Sequence, residues 1–339
     1  MGPTGRSRVL QIHPTRLCNL RCLHCYSSSG PEERGGLDPG LLRDALTAAA
    51  AQGYDVAGFS GGEPTLYRHL PEMLEHARRG GMSTTVTSNG MLLDERRLDS
   101  LQGRVDLLAI SLDGVPASHN RMRAHPRAFE TMESRLEGVR LAGIPFGFIF
   151  TLTQHNLHEL EWVAAFALAH GARLLQIHPL EEAGRARERL EGSRPDGIES
   201  SVAFLLATQL QEALGDRLQI QLDLISRQHV RDSPGCFFAA GDGDGEGRPL
   251  SELVAPLVIE SDGTVVPLEH GFSRHFALGN LHQAGLAELA APWQRHRYPE
   301  FRRLCHAVYQ ELEDDQRPPL ENWYALMMGK AKEAEARPS

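Results

Sequence analysis

The chain has 339 residues, a length that suggests two domains or one large α/β barrel with an appendage. With 41% hydrophobic and 23% charged residues, 33 Gly and 20 Pro, its composition is that of a globular protein and excludes collagenous, disordered and coiled-coil classes. Lys and Arg number 35 against 44 Asp and Glu, so the net charge of −9 offers no global positive field for a nucleic-acid backbone.

From residue 8 to 180, apolar β-branched runs alternate with stretches of helical spacing. The pattern predicts strands over Arg8 to His13, Asp55 to Ser60, Met82 to Ser88, Leu107 to Leu112, Phe146 to Thr153 and Leu174 to His178. Helices are predicted between them, over Leu37 to Gln52, Leu66 to Arg79, Glu95 to Leu101, Phe129 to Ala142 and Leu157 to His170. Strands spaced by helices imply a parallel sheet with right-handed crossovers. Gly53, Gly80, Gly143 and Gly171 fall where helix C-caps are expected. With a helix after the last strand this makes a partial, open (β/α)6 TIM barrel over residues 1–185, with reactive groups at the C-terminal ends of the strands. A smaller α+β C-terminal domain is expected over 186–339: a helix Ser200 to Leu214, a flexible Gly/Asp loop Ala239 to Gly247, a hairpin Leu253 to Ile259 with Thr264 to Pro267, and three closing helices. No apolar signal segment opens the sequence, and no apolar run approaches the roughly 18 residues of a membrane span. A cytoplasmic protein without nucleic-acid or membrane partners is expected.

The five cysteines are Cys18, Cys22, Cys25, Cys236 and Cys305. The crowding of the first three directly after the first strand favours a shared metal centre over disulfides. Three soft ligands suit iron–sulfur or zinc. Structural zinc takes four ligands, and no fourth Cys or His is suitably spaced, His24 being wedged between two cysteines. Three thiolates on a four-iron cluster leave one iron open to bind a substrate.

Cys18-Asn19-Leu20-Arg21-Cys22-Leu23-His24-Cys25-Tyr26 resembles the Cys-x-x-x-Cys-x-aromatic-Cys signature of radical S-adenosylmethionine (radical SAM) enzymes. Later strand ends agree with it in order: Ser60-Gly61-Gly62-Glu63-Pro64, Thr87-Ser88-Asn89-Gly90, Ser111-Leu112-Asp113-Gly114 and His119-Asn120-Arg121-Met122-Arg123. The resemblance implies a [4Fe-4S] cluster on Cys18, Cys22 and Cys25. It implies S-adenosylmethionine contacts from His24, Tyr26, Gly61, Gly62, Glu63, Ser88, Asn89, Ser111, Asp113 and Ile177, with Arg123 pairing the cofactor carboxylate. Glycines at 61 and 62 have a physical reason, since backbone lacking Cβ can approach a ligand closely. Reductive cleavage of the sulfonium would give a 5′-deoxyadenosyl radical that abstracts a hydrogen atom from a substrate at the barrel mouth.

Past residue 180 the resemblance is to a reduced SPASM or twitch region, through Pro179-Leu180, Gly184-Arg185-Ala186, the hairpin Ile259 to Pro267 and Leu278-Gly279-Asn280-Leu281. Relatives carry a cysteine after the hairpin proline, where this chain has Leu268. Cys236 and Cys305 are two thiols short of an auxiliary cluster even with His270, His275 or His306 to hand. Either is a candidate hydrogen donor on the far face of the substrate. Without extra clusters this region is expected to serve as a substrate lid or a homodimer surface. The implied substrate is a ribosomal peptide or a small sugar, nucleoside or amino-acid derivative, with flavodoxin or ferredoxin as electron donor. The first strand begins at Arg8, so no leader-binding or cobalamin domain is expected ahead of it. Two other readings are a non-catalytic iron–sulfur or zinc scaffold and an activase that makes a radical on a partner protein.

Overall fold

The structure, a computed structural model, describes residues 7–237, 245 and 247–336. β1 (Val9–Ile12) passes through the cysteine loop to α1 (Pro39–Ala51), and β2 (Val56–Phe59) leads to α2 (Leu70–Arg79). β3 (Ser83–Ser88) precedes α3 (Glu95–Leu101), and β4 (Leu107–Ser111) precedes α4 (Pro116–Met122) and α5 (Ala128–Leu141). β5 (Phe146–Leu152) is followed by α6 (Leu160–Ala169), and β6 (Leu174–Pro179) by α7 (Ala186–Arg189) and α8 (Gly197–Leu214). The expected strands and helices are all present, most of them displaced by a residue or two at their ends.

Beyond α8 come β7 (Gln219–Leu222), β8 (Ile225–Ser226), α9 (Arg227–Asp232), α10 (Leu250–Leu253) and the hairpin β9 (Leu257–Ile259) and β10 (Thr264–Pro267). The chain closes with β11 (Gly279–Asn280), α11 (Leu286–His296), α12 (Tyr298–Glu313), β12 (Leu320–Glu321) and α13 (Trp323–Ala336). The Gly/Asp loop expected over 239–247 lies mostly outside the described residues. Leu253 to Val254 belong to a helical turn and its cap rather than to the hairpin.

β1 to β7 form a parallel sheet in sequence order, open rather than closed into a barrel. Two features go beyond the six-strand expectation. β7 adds a seventh parallel strand beside β6, with Leu175 opposite Ile220. On the other side β9 pairs in parallel with β1, Leu10 lying opposite Leu257, and β10 and β11 extend the sheet antiparallel. The hairpin of the C-terminal segment therefore continues the barrel sheet. Tyr54 Oη donates to Val254 O at 2.7 Å and Leu250 N donates to Gln52 Oε1 at 2.9 Å, tying the two segments together.

A parallel sheet covered on both faces needs strands that read as near-continuous apolar runs. β5, Phe-Gly-Phe-Ile-Phe-Thr-Leu, is one, and Phe148, Phe150 and Leu152 are fully buried. At the end of α2 the cap is shifted by one residue from expectation: Gly80 keeps φ −76° and Gly81 takes the left-handed φ +83°. No helix among the described residues is long and apolar enough to cross a membrane.

Candidate active site

The C-terminal ends of the strands open onto a cavity of about 530 Å³. One wall begins with the cysteine loop that leaves β1. Thr15 Oγ1 donates to Gly35 O at 2.7 Å and accepts from Leu17 N at 3.0 Å, which turns the chain toward Cys18. Cys18 N donates to Gly30 O, and Gly30 N donates to Arg16 O, at 3.1 and 3.2 Å, closing the loop on itself. Arg185, from the connection after β6, then clamps it. Its Nη1 donates to Cys22 O and its Nη2 to Ser29 O, both at 2.8 Å, while its backbone N donates to Cys25 O at 2.9 Å. Gly184 makes this approach possible, since a Cβ there would stand 2.1 Å from Tyr26 O. All three thiols line the cavity, with Arg123 Nη1 3.7 Å from Cys22 Sγ and Asn89 Nδ2 4.0 Å from Cys18 Sγ. Burial pushes the Cys18 thiol up to about 12 and raises Cys22 despite the opposing Arg123 charge.

The second strand end packs directly on this loop. Gly62 N donates to Thr15 O and Glu63 N to Leu17 O, each at 2.9 Å. A Cβ on Gly62 would fall 2.3 Å from Leu17 O, and one on Gly61, at φ +105°, 2.8 Å from Thr15 O. The reason for these glycines is thus the close approach of protein backbone, in addition to any ligand. Glu63 is fully buried; its Oε1 accepts from Thr65 N, Thr65 Oγ1 and Ser88 Oγ at 3.2, 2.7 and 2.9 Å. Its Oε2 accepts from Asn89 N at 2.9 Å, so one carboxylate joins the ends of β2 and β3.

Asp113, fully buried past the end of β4, has Oδ2 2.6 Å from Arg123 Nε. Burial disfavours its charge, but the Arg123 guanidinium, with His24 and His119, more than offsets this and holds the carboxyl at about 2. Arg123 is thereby fixed beside Cys22 at the cavity wall.

The opposite wall comes from β6, β7 and the turn after β10. His178 places Nδ1 3.0 Å from Asp223 Oδ2 and Nε2 2.8 Å from Glu181 Oε1. Burial opposes its charge, yet these two hydrogen bonds raise its pKa well above the ordinary histidine value. Gln176 Nε2 and Gln221 Nε2 donate to the two oxygens of Asp223 at 2.6 and 2.9 Å. Leu268, where relatives are expected to carry a cysteine, takes the left-handed φ +66° and is followed by Glu269 and His270, all three lining the cavity. Glu269 hydrogen-bonds to Glu181, and burial together with the Glu181 charge pushes its pKa well up. His13, Tyr26 and His270 close the space between the walls, His13 stacking on His270 at 4.8 Å and Tyr26 meeting it edge-on at 5.5 Å.

Compared with known proteins, residues 12–167 match the Radical SAM superfamily. Those residues are a radical SAM domain. The chain is 31% identical over 181 residues to Fe-coproporphyrin III synthase of Methanosarcina barkeri, which covers 52% of this chain and 45% of the relative. It is 30% identical over 237 residues to PqqA peptide cyclase of Xanthomonas axonopodis pv. citri, covering 67% of this chain and 62% of the relative. The chain thus spans about half to three-fifths of the length of these curated relatives. Streptococcus suis SuiB bound to S-adenosylmethionine superposes with a TM-score of 0.66 at 15% identity, over 87% of this chain and 68% of that one. Native anSMEcpe with bound AdoMet gives 0.64 at 19% identity, over 96% of both chains. At such identities these two likenesses speak to the fold, an open parallel barrel with strands beyond it.

A radical SAM domain takes a [4Fe-4S] cluster and S-adenosylmethionine, and the residues here fit both. No three His, Cys, Asp or Glu among the described residues converge to hold one metal ion. Three thiols spread around an opening suit a cluster, in which each sulfur takes its own iron. Of the contacts expected in the radical SAM domain, His24, Tyr26, Gly61, Gly62, Ser88, Asn89, Ser111 and Arg123 line the same cavity as the cysteines. Glu63, Asp113 and Ile177 do not; each is fully buried, the first two orienting cavity residues and Ile177 lying in the core.

The C-terminal expectations fare differently. Cys305 sits on α12 in the hydrophobic core, fully buried, and does not reach the cavity; its place is fixed by the apolar face of that helix, with Phe301, Leu304 and Val308. Burial keeps its thiol protonated. The side chain of Cys236 lies outside the described residues. His275 is paired with Glu300 at 2.6 Å and His306 is exposed beside Tyr309, whereas His270 does enter the cavity. Sequence reasoning missed Arg185 as the clamp and His13, His178, Glu181, Asp223 and Glu269 as cavity residues. The rule that sites gather at strand C-termini could have found His178, Glu181 and Asp223, which end β6 or follow β6 and β7.

Proposed function

We propose that this protein is a radical SAM enzyme acting on a peptide or a small natural-product molecule bound in the cavity between the two walls. The observation that carries the reading is the opening of Cys18, Cys22 and Cys25 onto one cavity with the strand-end residues Gly61, Ser88, Asn89 and Ser111. When bound, the cluster and S-adenosylmethionine supply a 5′-deoxyadenosyl radical that abstracts a hydrogen atom. The chain's own part is to hold the thiols on a loop clamped by Arg185, to keep Arg123 charged beside Cys22 through Asp113, and to enclose the substrate. The Arg123 Nη end, at the cavity wall, is suited to pairing a carboxylate. Curated relatives that modify a peptide or build a porphyrin support a natural-product substrate, and the solved SuiB bound to precursor peptide SuiA, TM-score 0.66, supports a cavity of this shape accepting a peptide. An electron donor of the flavodoxin or ferredoxin kind and a cytoplasmic setting belong to the same reading.

The test is iron and sulfide analysis with electron paramagnetic resonance after anaerobic reconstitution, with 5′-deoxyadenosine release assayed in parallel. About four irons and release in the wild type, with neither in the Cys18/Cys22/Cys25→Ala variant, is the expected result. Reconstituted protein that holds iron but releases no 5′-deoxyadenosine would favour a binding scaffold.

A further inference from the structure

We infer that the wall formed by His178, Glu181, Asp223 and Glu269 receives a positively charged group of the substrate, a protonated amine or a guanidinium. The inference rests on the reading that this cavity is where the substrate binds.

Two independent features point to it. The first is unbalanced charge. With His178 held as an imidazolium, Glu181 and Asp223 ionised and Glu269 carrying the proton it shares with Glu181, the group sums to one negative charge. These side chains remain open to the cavity: His178 is 31% exposed, Glu181 21% and Asp223 16%. Nearby cations do not balance them. Arg16 is paired with Glu33 at 3.2 Å and Arg274 with Glu260, while exposed Lys332 is the least of the influences on Glu269. A partly desolvated negative charge in a cavity favours a cationic ligand strongly over a neutral one of the same shape.

The second feature is His13. It is 3% exposed, lines the same cavity, and its Nδ1 has no hydrogen-bond partner. Burial and the neighbouring His270 keep the ring neutral, and in the tautomer with its proton on Nε2 the Nδ1 atom is an acceptor. Buried polar atoms are ordinarily satisfied, and an orphan at a cavity wall marks a place where a ligand completes the bonding. His13 stacks on His270, the residue after Glu269, so two imidazole rings line the same cavity as the acidic group. An ammonium or guanidinium offers several N–H donors and a charge, and so answers the carboxylates and the orphan nitrogen together.

The experiment measures binding by ligand-observed NMR to the reconstituted protein with two matched pairs of probes. These are acetyl-lysine N-methylamide against acetyl-norleucine N-methylamide, and n-butylammonium against n-butanol. The cation of each pair is expected to bind at least about tenfold tighter than its neutral partner, and Glu269→Gln and Glu181→Gln each to narrow that ratio severalfold. A preference confined to the lysine pair indicates a peptide side chain, and one shared by both pairs a free small-molecule amine. Equal binding of cation and neutral probe by the wild type, which needs no variant to fold, overturns the inference, as does a ratio untouched in both variants. Release of 5′-deoxyadenosine is assayed on the same sample. Release without a cation preference defeats this inference alone; a preference without release defeats the enzyme reading and leaves the cation site standing.

Discussion

The wall built by the first three strand ends and the wall built by β6, β7 and the turn after β10 face each other across one cavity, and they are held together in different ways. In the first, backbone meets backbone at bare glycines, and the side chains that link its parts, Glu63 and Arg185, bond largely to main-chain groups. In the second, charged side chains bond to one another around His178. A backbone-built wall admits almost no change of residue at its contacts and gives the same shape whatever lies opposite. A side-chain wall can be rewritten residue by residue, which suits the part of a site that selects a substrate.

Substitution at the glycines should break the contrast most sharply. Gly62→Ala sets a Cβ against the Leu17 carbonyl, with backbone on both sides and no rotamer to yield. We expect a loss of about 3 kcal/mol or more in urea unfolding, together with loss of iron after reconstitution. Gly285→Ala, whose Cβ would find its nearest neighbour at 3.7 Å, should change stability by no more than about 0.5 kcal/mol and keep its iron.

Removing the clamp comes next. Arg185→Ala deletes two side-chain hydrogen bonds to the cysteine loop and should cost about 1–3 kcal/mol. Iron content after gel filtration should fall while the circular dichroism spectrum holds. Retention of full iron would show that the loop needs no support from Arg185.

The second wall predicts a pH dependence. His178 has its pKa raised in the folded state, so the stability it contributes is complete below the ordinary histidine value of 6.5 and is lost as pH rises through the folded value. Glu269, also raised, acts in the same sense, becoming a liability above the ordinary glutamate value of 4.5, while Glu181 and Asp223 are lowered and contribute stability that is lost as pH falls through their folded values. Unfolding midpoints of the metal-free protein should therefore decline on the alkaline side, and His178→Gln should flatten that decline. Among the side-chain truncations, the smaller effect is expected at Cys305→Ala, about 1 kcal/mol of lost core packing with iron content unchanged.

The six barrel strands were legible because each is a short apolar run with its own turn signals, and the cysteine triplet because its ligands are neighbours in sequence. Gly61 and Gly62 were legible as a motif, but their physical reason was not, since Leu17 and Thr15 approach them only in the fold. β7 was missed: Gln-Ile-Gln-Leu is half polar and alternates in exposure, so nothing in it stands out from a loop. The His178 group was invisible because Asp223 and Glu269 join it through register across β6 and β7 and through a left-handed Leu268, neither of which leaves a local pattern. The placement of Cys305 follows from the apolar face of α12, which a thiol extends as readily as it serves chemistry.

The parallel pairing of β1 with β9 also sets an order of events. Leu10 meets Leu257 only after more than two-thirds of the chain has been made, by which time β2 to β7 are already available to pair in sequence. Until then β1 is an edge strand, and the turn bearing Leu268, Glu269 and His270 is not yet in place to line the cavity. The cavity is therefore incomplete until the hairpin has paired with β1, since the residues that follow β10 supply part of its lining.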